Sequence, residues 1–196
     1  MTCRRGRVLA LGGLIGPVAF VAAWVATGLS TDHYSPVHDA ISELARLGAP
    51  TRVAMTTGFV VFGVAVTAYA RPLRAVLAGP SWIAVAVTGM ATLGVAAFPL
   101  GFDDSVHAAF AGLGYVALTA APLLAVGPLR AAGFRHAAFA SLVLGLLCAA
   151  GLLLSVTSGP TGLFQRAALT VGDIWLAAGA VAILAGRRAS PVQPGR

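Results

Sequence analysis

Apolar runs of near-membrane length alternate with short polar breaks along the whole chain, and one break is far longer than the rest. Val8 to Leu29 is a run of 22 residues, close to the ~20 that carry an α-helix across a bilayer. It is too long for the apolar core of a secretory signal, or of the twin-arginine type that Arg4-Arg5 resembles. It therefore reads as a retained first span, kinked at Gly16-Pro17. Further runs cover 53–70, 81–98, 107–126, 137–156 and 167–186. The breaks between them are the Arg71-Pro72-Leu73-Arg74 turn, the loop 99–106, the loop 127–136 and a Gly/Ser/Pro-rich loop 157–166. The pattern predicts an all-α, polytopic membrane protein: a six-transmembrane-helix bundle forming one domain over 1–186, with a disordered tail over 187–196.

The long break, 32–52, carries its own helical signal. Ser35-Pro36 has an N-cap residue followed by Pro at the first helical position, and Gly48 and Pro50 mark a stop. Val37, Ile41 and Leu44 share one face, with His38, Ser42, Glu43 and Arg46 on much of the other. A helix over 36–47 is about 18 Å long at ~1.5 Å per residue, too short to span. The expectation is an interfacial helix between spans 1 and 2, roofing a polar pocket.

Charge sets the orientation. The chain has 13 basic residues, all Arg. Ten (4, 5, 7, 71, 74, 130, 135, 187, 188 and 196) fall on one side of the arrangement, and three (46, 52 and 166) on the other. Short loops rich in Arg stay in the cytoplasm, so both termini are placed inside. The net charge of +7 then reflects topology, and nucleic acid is not expected as a partner. Arg without Lys, beside abundant Ala, Gly and Val, points to a GC-rich bacterial gene and so to the bacterial inner membrane. The acidic residues, not used in that assignment, all fall on the outer side: Asp32, Asp39, Glu43, Asp103 and Asp104, with Asp173 entering the last span from outside. His33, His38 and His107 join them, whereas His136 is a cytoplasmic loop residue. Tyr34, Tyr69, Trp82 and Tyr115 read as interfacial belt aromatics. Cys3 and Cys148 give no disulfide framework.

Several stretches carry a resemblance. YSPVHDAISELARLGAP (residues 34–50), Gly16-Pro17, Gly58-Phe59 and Phe62-Gly63 do so in the first half. Phe98-Pro99 followed by Asp103 and His107, and Gly162-Leu163-Phe164-Gln165-Arg166 with Trp175, do so in the second. Together they resemble the bacterial six-span membrane family catalogued as domain of unknown function 998. In this chain Leu100-Gly101-Phe102 intervene before the carboxylate of Asp103, which therefore stands later than in the family pattern. The resemblance covers most of the chain and implies a six-span fold, with no established activity.

The outer polar set offers three chemistries. His38, Asp39, Ser42, Glu43, Asp103, His107, Gln165, Arg166 and Asp173 could bind an amphiphilic ligand or a lipid headgroup, with membrane lipid as the expected partner. A helix-terminal arginine fork suits phosphate. Alternatively, His38, Asp103, His107 and Asp173 are zinc-ligand types, and a zinc-bound water attacking a lipid amide or ester would make a metal-dependent lipid hydrolase, with Glu43 or an aspartate as base. No HExxH-like spacing supports this, and no cofactor is expected. A haem between histidines is disfavoured because His107 has no intramembrane histidine opposite it. Third, the residues pair only with one another in a structural or accessory subunit. Glu43 with Arg46 and Arg166 with Asp173 are the pairs expected in that case.

Overall fold

The computed structural model describes residues 2–186, with side chains from Arg4 onward; the tail expected to be disordered lies outside the described residues. The elements are α1 (Thr2–Ala10), α2 (Gly12–Leu29), α3 (Arg52–Val76), α4 (Ser81–Ala97), α5 (Asp104–Ala131), α6 (Arg135–Thr157) and α7 (Thr161–Leu184), with a 3-10 helix at Ile41–Ala45. There is no strand among the described residues. Arg4–Leu29, α3, α5, α6 and α7 are each long and apolar enough to cross a membrane, and α4 is a shorter apolar helix of 17 residues. The chain is a multi-pass membrane protein.

Each helix from α2 to α7 packs on its sequence neighbours, and α7 closes the ring against α2, also touching α3 and α5. Small residues set the spacing, as expected where lipid supplies no hydrophobic drive between helices. A Cβ on Gly12 would lie 2.1 Å from the Ala65 carbonyl oxygen, and one on Gly89 2.7 Å from the Gly63 carbonyl oxygen. The first span is interrupted at Leu11, one residue before that contact with α3, while α2 runs on through Pro17.

Three expected helix ends move. Helix α3 continues through Pro72 to Val76, where Pro72 and Leu73 are buried and the Arg74 guanidinium sits 4.6 Å over the Trp82 ring. Helix α5 continues through Pro122 and Pro128 to Ala131. A proline removes one hydrogen bond, and packed flanks keep the helix going past it. Helix α7 starts at Thr161 rather than 167, so Asp173 is the thirteenth of its 24 residues and lies at the middle of the helix, well below its mouth.

The interfacial helix over 36–47 is not present as drawn. Its start signal works for one turn: Ser35 Oγ accepts from His38 N at 3.3 Å and Asp39 Oδ2 accepts from Ser35 N at 2.7 Å. Ala40 then turns extended (φ −65°, ψ 150°) and the 3-10 helix follows. The cause is tertiary. The carbonyls a helix would use internally are taken by α7: Val37 O by Leu163 N at 3.0 Å, and Pro36 O and Asp39 O by Arg166 Nη1 at 2.7 and 3.0 Å. Ile41 N donates instead to Gln165 Oε1 at 2.8 Å. Leu163 N is one of the orphan donors of the first turn of α7, so the loop caps α7 while α7 unwinds the loop.

Candidate functional site

Beneath this loop the bundle is hollow. A cavity of about 70 Å³ lies between the 3-10 helix, α2, α3, α4, α5 and α7, several times what one water needs. Helix periodicity aims the side chains: Gln165, Leu169 and Asp173 lie at i, i+4 and i+8 on α7, and His107, Ala111 and Tyr115 at the same spacing on α5. Phe20, Phe59, Phe62 and Phe110 make the walls apolar. The first three form one cluster, with ring centroids 5.8 Å (Phe20–Phe59) and 5.4 Å (Phe20–Phe62) apart.

Two polar atoms in this apolar space have no partner among the described residues. His107 and Asp173 are each 4% exposed, and His107 Nε2 and Asp173 Oδ2 make no hydrogen bond. His107 is fixed through its other nitrogen, 2.8 Å from the Phe98 carbonyl oxygen. A carbonyl only accepts, so Nδ1 carries the proton and a neutral ring turns the Nε2 lone pair outward. The remaining lining polar groups are largely satisfied. Thr88 and Thr92 donate to the carbonyls of Ala84 and Thr88, at 3.0 and 2.9 Å. Gln165 accepts from Ile41 N and donates to the Tyr115 hydroxyl.

Of the residues singled out from sequence, Ser42, His107, Gln165 and Asp173 line the cavity. The others do not. Asp103 Oδ1 accepts from Val106 N at 3.0 Å as the N-cap of α5, and Asp104 Oδ1 accepts from Gly101 N at 2.6 Å. His38 is exposed, its Nδ1 3.4 Å from the Gly159 carbonyl oxygen, and Asp39 closes the Ser35 turn. Glu43 pairs with Arg46 at 2.5 Å. The hydrogen bond to Glu43 raises the Arg46 pKa above its ordinary range. Among the described residues no three of His, Cys, Asp and Glu come together as a group that could hold a metal ion.

Arg166 meets neither expectation made for it. It forms no ion pair with Asp173 and presents no open fork to a phosphate. Its Nη1 serves three carbonyls, those of Pro36, Asp39 and Gly162, and Nη2 donates to the Tyr34 hydroxyl. Its guanidinium carbon lies 5.4 Å from the Trp24 ring centroid and 5.3 Å from that of Tyr34. Burial pushes the Tyr34 phenol up, and the neighbouring Arg166 charge opposes that shift. Gly162 makes the arrangement possible, because a Cβ there would lie 2.4 Å from Asp39 O and 2.6 Å from Pro36 O.

Sequence reasoning missed the cavity's aromatic walls and the role of Tyr115. Tyr34 and Tyr115, read as belt aromatics, hold Arg166 and Gln165, and Tyr69 is fully buried with its hydroxyl unpartnered. The available signal was the run Phe59, Phe62, Gly63, Val66, whose spacing matches one helix face.

A family model described as a protein of unknown function (DUF998) matches residues 14–182. No curated protein and no solved structure is similar to the chain.

Proposed function

The chain belongs to the DUF998 family of proteins of unknown function, and for it we propose a binding module that takes an amphiphilic ligand into the cavity beneath the 36–45 loop. The observation that carries this reading is the pair of unpartnered buried atoms, His107 Nε2 and Asp173 Oδ2, on an otherwise aromatic and aliphatic lining. Buried polar atoms are nearly always paired, and a carboxyl in the middle of a spanning helix ordinarily faces a partner or a wet cavity. Apolar walls with a few convergent polar groups are the common make-up of a small-molecule site.

In this reading the protein sits in the bacterial inner membrane with six spans, α4 being the short one, and both termini in the cytoplasm. The loops 30–51, 98–103 and 158–160 then face outward together. They already touch one another: Leu47 N donates to the Leu100 carbonyl at 2.9 Å, and His38 lies beside Gly159. Arg166 acts as a positioning residue for the roof, and a phosphate headgroup loses its expected ligand.

The test is extraction of bound small molecules from detergent-purified protein, followed by mass spectrometry, wild type beside Ala111→Phe. The variant fills the cavity from α5. The reading expects an amphiphile retained by the wild type and depleted by about tenfold or more in the variant, equivalent to ~1.4 kcal/mol. Equal retention by a variant as heat-stable as the wild type would refute it.

A further inference from the structure

Resting on that reading, we infer that the cavity's ligand is a cationic amine: an apolar body ending in a primary or secondary ammonium that donates to Asp173. His107 Nε2 is an acceptor, since the ring has its proton on Nδ1, held by Phe98 O, and the Asp173 carboxyl becomes one when an ammonium beside it offsets the charge of its ionised form. The threonine hydroxyl protons on the α4 wall are already directed at backbone carbonyls, which leaves those oxygens as acceptors too. Only Tyr115 and Ser42, near the roof, keep a hydroxyl proton uncommitted.

Charge points the same way. Among the described residues no arginine lines the cavity, and the chain has no lysine. Arg166, the one cation on α7, is turned into the roof. An anionic head would meet Asp173 with nothing to offset it, whereas an ammonium supplies the counter-charge that a buried carboxylate requires. The Phe20–Phe59–Phe62 cluster and Phe110 add ring faces, and cations are attracted to such faces within about 6 Å of the centroid. A neutral alcohol of the same length would satisfy the apolar walls and one acceptor, and would lack the charge.

The experiment is isothermal titration at pH 7 of purified wild-type protein with hexylamine, hexan-1-ol and hexanoate against detergent-matched blanks. Asp173→Asn, Asp173→Glu and Ala111→Phe are run alongside. Hexylamine is expected to bind about tenfold or more tighter than hexanol, with hexanoate weakest. Asp173→Asn should bring hexylamine down to hexanol, and Asp173→Glu should keep its advantage. Equal binding of amine and alcohol by the wild type, or tighter hexanoate, overturns the amine assignment and leaves the amphiphile reading standing. Binding of all three that persists in Ala111→Phe, or no binding of any, overturns both. The wild-type comparison decides the matter even if an Asp173 variant does not fold.

Discussion

Arg166 Nη1 lies 3.0 Å from the carbonyl oxygen of Asp39, a hydrogen bond across 127 residues that ties the last helix to the loop after the first span. With the bonds to Pro36 and Gly162 it places a buried guanidinium against backbone carbonyls of the 36–45 loop and of α7. Buried carbonyls without a partner are costly. The bond therefore ties the loop over the cavity to α7 and keeps the cation of α7 out of the cavity lining. Where this one side chain goes thus bears on both the roof of the site and the absence of a cation of α7 from its lining.

Gly162→Ala should loosen that roof. The new Cβ would sit 2.4 Å from the Asp39 carbonyl oxygen, so the loop has to move away and lengthen its bonds to Arg166. Overpacking of this kind costs about 1–3 kcal/mol. The expected result is a lower thermal midpoint with faster proteolysis within residues 35–45. Gly159→Ala, where a Cβ meets nothing within 4 Å, should change neither.

The helices were legible because their signal is local. Apolar runs located the long helices and the shorter α4. The ends were not, since Pro72 and Pro128 are tolerated by packing that a run of letters does not contain. The site was half legible for the same reason. A carboxyl entering the last span drew notice to Asp173 and a span-edge histidine to His107. Asp103, Glu43 and His38 are the same residue types, however, and are absorbed by an N-cap, a surface pair and a turn. Amphipathic spacing over 36–47 predicted an α-helix, and hydrogen-bonding groups of α7, an acceptor on Gln165 and donors on Arg166, 120 and more residues away, overrode it.

Tyr34 should give the fold an alkaline limit. Burial raises its pKa above the ordinary 10.0, outweighing the neighbouring Arg166 charge. A raised folded-state pKa contributes stability that is fully present below the unfolded value and is lost as pH rises past about 10 towards the folded value. The thermal midpoint should thus be flat to pH 9 and fall above 10, with a smaller fall in Tyr34→Phe. An identical alkaline fall in that variant would place the cause elsewhere.

Cysteine labelling tests the orientation. With Cys3 and Cys148 replaced by Ser, single cysteines at Asp104 or Gly159 should react with a membrane-impermeant maleimide in intact spheroplasts. Cysteines at Ala132 or Gly133, in the turn between α5 and α6, should react only after lysis. The reverse pattern would turn the cavity mouth towards the cytoplasm and overturn the outward-facing reading.

Gln165 bridges the roof to the wall, and its two bonds can be separated. Its Oε1 accepts from Ile41 N at 2.8 Å in a buried position, while its Nε2 donates to the half-buried Tyr115 hydroxyl. Gln165→Leu removes both and leaves the Ile41 N–H without a partner, a cost of about 1–3 kcal/mol. Gln165→Glu keeps the acceptor for Ile41 and turns the bond to Tyr115 around, since a carboxylate accepts and the phenol can donate. Tyr115→Phe removes only the second bond, and Gln165 Nε2 can turn to water in the cavity. The expected order of thermal midpoints is wild type, then Gln165→Glu and Tyr115→Phe close together, with Gln165→Leu lowest. If Tyr115→Phe proved as damaging as Gln165→Leu, the wall rather than the Ile41 amide would be what Gln165 holds. In that case the roof would rest on Arg166 and on the Leu163 amide.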